Sequence, residues 1–65
     1  MLAANVRRLR VDLGLSQEQL ALQADVDRTY VSQLERQVIN PSLLVLCKLS
    51  DVLGTDPPDL LTQQR

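Results

Sequence analysis

SQEQLALQADVDRTYVSQLER, residues 16–36, holds two helix starts in quick succession. Ser16 followed three residues later by Gln19 is the spacing of a capping box, in which the hydroxyl and the amide oxygen each accept a backbone N–H that the helix leaves unpaired. Leu15, just before it, is placed to staple onto Leu20. Further on, Asp27 repeats the pattern: it can cap a second helix while Val26 staples onto Val31. Starts this close leave room for one helix of about eight residues and one tight turn, at residues 24–27. Leu20, Ala21 and Ala24 supply the first helix's inner face, and the small Ala21 allows the two helices to approach closely.

The second helix, residues 28–36, divides into two faces at about 100° per residue. Val31, Leu34 and the ring of Tyr30 fall on one side, with Glu35 at its edge. Arg28, Thr29, Ser32, Gln33 and Arg36 fall on the other, and no acid stands among them. Each of these side chains can hydrogen-bond a base edge or a phosphate, which is the character the major groove of duplex DNA accepts in a helix. Gln17, first residue of the preceding helix, adds to this face. A helix N-terminus offers free N–H groups and a favourable dipole to a phosphate, and an amide side chain there contributes a further hydrogen bond.

Before this stretch, residues 2–13 read as an amphipathic helix with Leu2, Val6, Leu9 and Leu13 on one stripe, ended by Gly14 in the left-handed conformation. Arg7 and Arg8 are most simply solvated. Arg10 flanks the stripe, about 40° from Val6, and is either solvated or paired at a partly buried site. After Arg36 the chain must leave the helix, because Pro41 forbids helical backbone at Asn40. Ser42 then caps a helix that reaches Leu53 and stops at Gly54. Its inward stripe is Leu43, Leu46, Cys47, Ser50 and Leu53, with a second of Val45, Leu49 and Val52; Leu44 falls on the polar side with Lys48 and Asp51. Asp56 as cap and Pro57 at the first helical position begin a last short helix, whose Leu60 and Leu61 close the bundle. Residues 62–65 read as a frayed end or as the stub before a removed or absent segment.

The 65 residues amount to a single domain, residues 1–65, of all-α class: 45% are apolar, mostly Leu, Val and Ala, and Tyr30 is the one aromatic. One Cys and no His provide neither a disulfide framework nor a metal cluster. Cys47 has no activating neighbour and reads as a small core residue. No cofactor, small-molecule substrate or catalytic constellation is indicated, so an enzymatic role has no support. No apolar run approaches the roughly 20 residues of a membrane span and no signal peptide is recognisable, so a cytoplasmic protein is expected. A net charge of −1 argues against indiscriminate nucleic-acid binding. Its distribution matters more. Arg7, Arg8, Arg10, Arg28 and Arg36 gather toward the first and third helices, while Asp51, Asp56 and Asp59 lie toward the C-terminus. A chain with so few cations binds DNA weakly alone, and two copies would be needed for affinity.

GLSQEQLA at residues 14–21, the apolar positions Val26, Val31 and Leu34, Glu35, and then NPSL with LxxLSDVLG resemble the Cro- and phage-repressor-type (XRE-like) helix-turn-helix family, over about residues 5–61. The resemblance implies a compact, lambda-repressor-like bundle of five helices with the helix-turn-helix at helices 2–3. It also implies a transcription regulator that binds double-stranded operator DNA as a homodimer. By the same resemblance Gln17 and Gln33 match DNA-contacting positions, Arg28 and Thr29 match the start of the recognition helix, and Arg10 with Glu35 matches a structural ion pair. Two positions depart from the pattern: Asp25 and Gln37 stand where the family usually has Gly. The apolar Val38, Ile39 and Leu44 have no evident use in a solvated monomer and are candidates for a dimer interface. A different use of the same fold, as a protein-interaction module such as an antitoxin component, fits the acidic balance and the surplus apolar residues; the acid-free outer face of the third helix favours DNA.

Overall fold

The computed structural model describes residues 2–61, which form α1 (Leu2–Asp12), α2 (Gln17–Ala24), α3 (Arg28–Glu35), α4 (Leu43–Leu53) and α5 (Pro57–Leu60), with no strand among them. The segment expected to fray, residues 62–65, lies outside the described residues. Side chains close three of the helix starts. Ser16 Oγ accepts the Gln19 N–H at 3.0 Å while Gln19 Oε1 accepts the Ser16 N–H at 2.8 Å. Asp27 Oδ1 accepts the Thr29 N–H at 2.8 Å, and Ser42 Oγ accepts that of Val45 at 3.3 Å. Asp56 departs from expectation, for it occupies the cap position of α5 without a side-chain hydrogen bond. The reason is local: Pro57 and Pro58 have no N–H to offer, and the Asp59 N–H is taken by the Asp56 carbonyl at 2.9 Å.

The first four helices end alike, α4 at Gly54 (φ +71°) with Thr55 donating to the Ser50 carbonyl at 3.0 Å. In each, a residue with positive φ folds the chain back so that two successive N–H groups reach carbonyls of the last turn, the Schellman closure. Gly14 (φ +73°) does this for α1, where Gly14 donates to Val11 at 2.9 Å and Leu15 to Arg10 at 3.0 Å. Asp25 (φ +57°) does it for α2, with Val26 donating to the Ala21 carbonyl at 2.9 Å. Gln37 (φ +62°) does it after α3, with Gln37 donating to Leu34 at 3.1 Å and Val38 to Gln33 at 2.9 Å. The closure therefore forms without glycine at two of the four ends.

Val6, Leu20, Ala21, Ala24, Val31, Leu34, Leu46, Leu49, Leu53 and Leu60 form the core, with Leu2, Leu9, Val26, Val45 and Val52 packed around it. α2 packs against α3 and α4, α1 lies against α3, α4 and α5, and α5 also meets α4. Asn5 is buried on α1, and its Nδ2 donates to the Leu60 carbonyl at 2.7 Å, fastening the first helix to the last. Three expected core residues prove exposed, each at an element's edge. Leu13 lies one residue beyond α1, where the helical stripe no longer applies. Leu43 is 73% exposed because it is the first residue of α4 and helical side chains tilt toward the N-terminus, here past the core. Leu61 follows α5, and Leu60 alone is buried there. Ile39 is half-buried beside Leu2, Ala3 and Leu34, whereas Val38 and Leu44 are exposed.

Candidate nucleic-acid interface

The capping of α2 and α3 has a joint consequence, because both N-terminal turns open onto one cleft, lined by Arg10, Ser16, Gln17, Glu18, Arg28, Thr29 and Ser32. Four of the residues expected to meet DNA, Gln17, Arg28, Thr29 and Ser32, are thus brought together. Gln33 and Arg36 are not among the cleft's lining. Gln33 is half-buried farther along α3, and Arg36 is exposed at its C-terminal cap. The inner face of α3 is held by the buried Val31 and Leu34. Tyr30 is half-buried, and its hydroxyl accepts the Ser42 N–H at 3.2 Å, tying α3 to the start of α4.

Beneath the cleft lies a charged group. Arg10 Nε donates to Glu35 Oε2 at 2.7 Å and Nη2 to Oε1 at 3.0 Å, a fork that matches the carboxylate. Their side chains are only 12% and 4% exposed. Arg10 Nη1 also donates to the Leu15 carbonyl at 2.8 Å, so one guanidinium joins α1, the loop after it and α3. The hydrogen bond to Glu35 holds the Arg10 pKa above its ordinary value; burial opposes this and the carboxylate's charge adds to it. The guanidinium is therefore charged at every working pH.

Two features of the cleft escape a reading of sequence. Gln17 Nε2 donates to Glu35 Oε1 at 3.2 Å, so the amide at the head of α2 is oriented by the buried carboxylate rather than left to solvent. Since a carboxylate only accepts, the NH₂ end of that amide must face it. The second feature concerns charge. Glu18 Oε2 lies 3.7 Å from Arg28 Nη1, so an acid from α2 stands beside the otherwise acid-free face of α3. Both contacts cross the turn between the two helices, where no local spacing announces them. Elsewhere Arg8 pairs with Asp12 one turn on, at 3.7 Å. Among the described residues no group of three or more His, Cys, Asp or Glu could hold a metal, and no helix is long and apolar enough to cross a membrane.

Comparison with known proteins agrees with this architecture. The helix-turn-helix family model matches residues 6–60. The control protein C.SmaI of Serratia marcescens is 45% identical over 64 residues, covering 98% of this chain and 76% of the relative. The crystal structure of the restriction-modification controller protein C.AhdI from Aeromonas hydrophila aligns with a TM-score of 0.86 at 41% identity, covering 91% of this chain and 89% of that one. SinR, the master regulator for biofilm formation in Bacillus subtilis, aligns in its complex with DNA with a TM-score of 0.91 at 35% identity, covering 95% and 100%. The paired short helices, the closures between them and these likenesses place the chain in the helix-turn-helix family of DNA-binding transcriptional regulators.

Proposed function

We propose that this regulator binds a palindromic operator as a homodimer, with α3 of each copy in the major groove. The observation that carries the proposal is the convergence of Gln17, Arg28, Thr29 and Ser32 on one cleft at the heads of α2 and α3. In this reading Arg28, Thr29 and Gln33 read bases, Ser32 and Arg36 reach further bases or a phosphate, and Gln17 donates to the backbone. An Arg can engage guanine, and a Gln adenine, through paired hydrogen bonds worth about 1–3 kcal/mol of discrimination each. The DNA complex of SinR supports the docking, and the likeness to C.SmaI and C.AhdI is consistent with control of restriction-modification genes.

Dimerisation follows from what a single copy lacks. One eight-residue helix on a chain of net charge −1 supplies few phosphate contacts, so two half-sites about one helical turn apart are needed for useful affinity. Val38 and Leu44, 59% and 65% exposed, offer apolar surface for the contact; the half-buried Ile39 divides its surface between the core and such an interface. Selection of binding sites from random duplex DNA tests the whole proposal, and the expected product is a palindrome. Sedimentation of the wild type and of a Val38→Asp, Leu44→Asp double variant tests the interface, since neither residue contributes to the core. Equal mass for both proteins at every concentration would remove Val38 and Leu44 from the interface. A selected site without two-fold symmetry would remove the dimeric reading.

A further inference from the structure

We infer that Glu18 is a specificity-determining residue, which restrains Arg28 for base reading while lowering affinity for DNA in general. The inference rests on the proposal that Arg28 reads a base. Glu18 is the second residue of α2, 75% exposed in its side chain, and its Oε2 lies 3.7 Å from Nη1 of Arg28, itself 66% exposed. Both line the cleft at the heads of α2 and α3. An ion pair so exposed contributes little to folding. Its effect is on the guanidinium, which has many rotamers when free and must give most of them up to form a paired contact with guanine. A carboxylate 3.7 Å from one nitrogen attracts the guanidinium without a hydrogen bond, which leaves the donors of the planar group for the base and narrows the directions it can point.

The same carboxylate repels phosphate at every sequence, because it stands in the cleft where DNA would lie. Glu18 therefore opposes all duplexes alike and favours the one in which Arg28 finds its base. Discrimination gains from both effects, as it does wherever a repulsive element accompanies an attractive one.

The test compares wild type, Glu18→Ala, Arg28→Ala and the double variant on the selected operator, its single-base-pair variants and an unrelated duplex. Arg28→Ala identifies the base pair that Arg28 reads. Glu18→Ala should bind the unrelated duplex more tightly than wild type, yet lose about two- to fivefold of the preference at that same base pair, the range an exposed ion pair can carry. In the Arg28→Ala background, removing Glu18 should leave that base pair's preference unchanged. The inference fails alone if Arg28→Ala alters a preference while Glu18→Ala raises affinity for every duplex by one factor. It also fails if Glu18→Ala alters a different base pair, which would make Glu18 a direct reader. If Arg28→Ala leaves all preferences unchanged, the inference falls together with the reading of Arg28. A merely structural Glu18, acting through the dipole of α2, would move the melting temperature and no base preference.

Discussion

The α2–α3 pair and the α4–α5 pair differ in what lies under their helix-end caps. In the first, both starts are capped by side chains, both ends fold back through a positive-φ residue, and a buried ion pair lies underneath. In the second, α4 also has a side-chain cap, Ser42, and a positive-φ end, Gly54, but among the described residues no ion pair lies beneath it. It is apolar around much of its circumference, with Leu46, Leu49, Ser50 and Leu53 buried, while Leu43 and Leu44 remain exposed. α5 starts without a side-chain cap. The first pair adds a buried charged contact to its caps. Bulk apolar burial holds the second, and leaves apolar surface over. Direction matters where a helix must present its outer face at a fixed angle; where a helix only closes a core, volume is enough.

Removing the charge beneath the first pair should break this contrast most severely. Glu35→Leu strands the Arg10 guanidinium at a site 12% exposed and is expected to cost about 3–5 kcal/mol in chemical denaturation, much of a small domain's stability. Adding Arg10→Met should recover most of the loss; additive effects across the cycle would show that the two residues are not coupled. A smaller effect separates two aspartates that look alike in sequence. Asp27→Ala should lower stability by about 1 kcal/mol, because the Thr29 N–H loses its acceptor, while Asp56→Ala should change it by about zero. Matched thermal melts of the two variants check this, and equal losses would contradict the difference in capping. The smallest effect has the opposite sign. Gln37→Gly should raise stability by about 0.5–1 kcal/mol, since a left-handed backbone is strained for Gln and free for Gly. Asp25→Gly should gain less, because Asp tolerates that conformation better.

What could be read from the chain beforehand follows the same division. The caps at Ser16, Asp27 and Ser42 depend on side chains two or three residues from the groups they serve, so spacing alone reveals them. The division of α3 into faces is legible for the same reason. Leu13, Leu43 and Leu61 mislead because helical periodicity does not predict burial at or beyond a helix end, where neighbours no longer cover the side chain. Asp56 could have been read correctly from Pro57 and Pro58, which remove the N–H groups a cap would serve. Asn5 could not: an asparagine on an apolar stripe looks misplaced until the Leu60 carbonyl, far along the chain, is brought against it. In the cleft, the residue types of Gln17 and Arg28 were legible, but their contacts with Glu35 and Glu18 exist only once α2 and α3 are packed.

Tyr30 gives the protein an optical signal of its own. The chain has one Tyr and neither Trp nor Phe, so near-ultraviolet absorption and intrinsic emission come from that single phenol. The phenol bridges two elements, being carried on α3 while its oxygen accepts the Ser42 N–H where the next helix begins. A shift of α3 relative to that junction changes the hydrogen bonding and solvation of the ring together. Mixing with duplex DNA can therefore be followed in the stopped-flow by tyrosine emission without a dye or an introduced fluorophore, and the time course reports the junction between α3 and α4 rather than an average over the molecule.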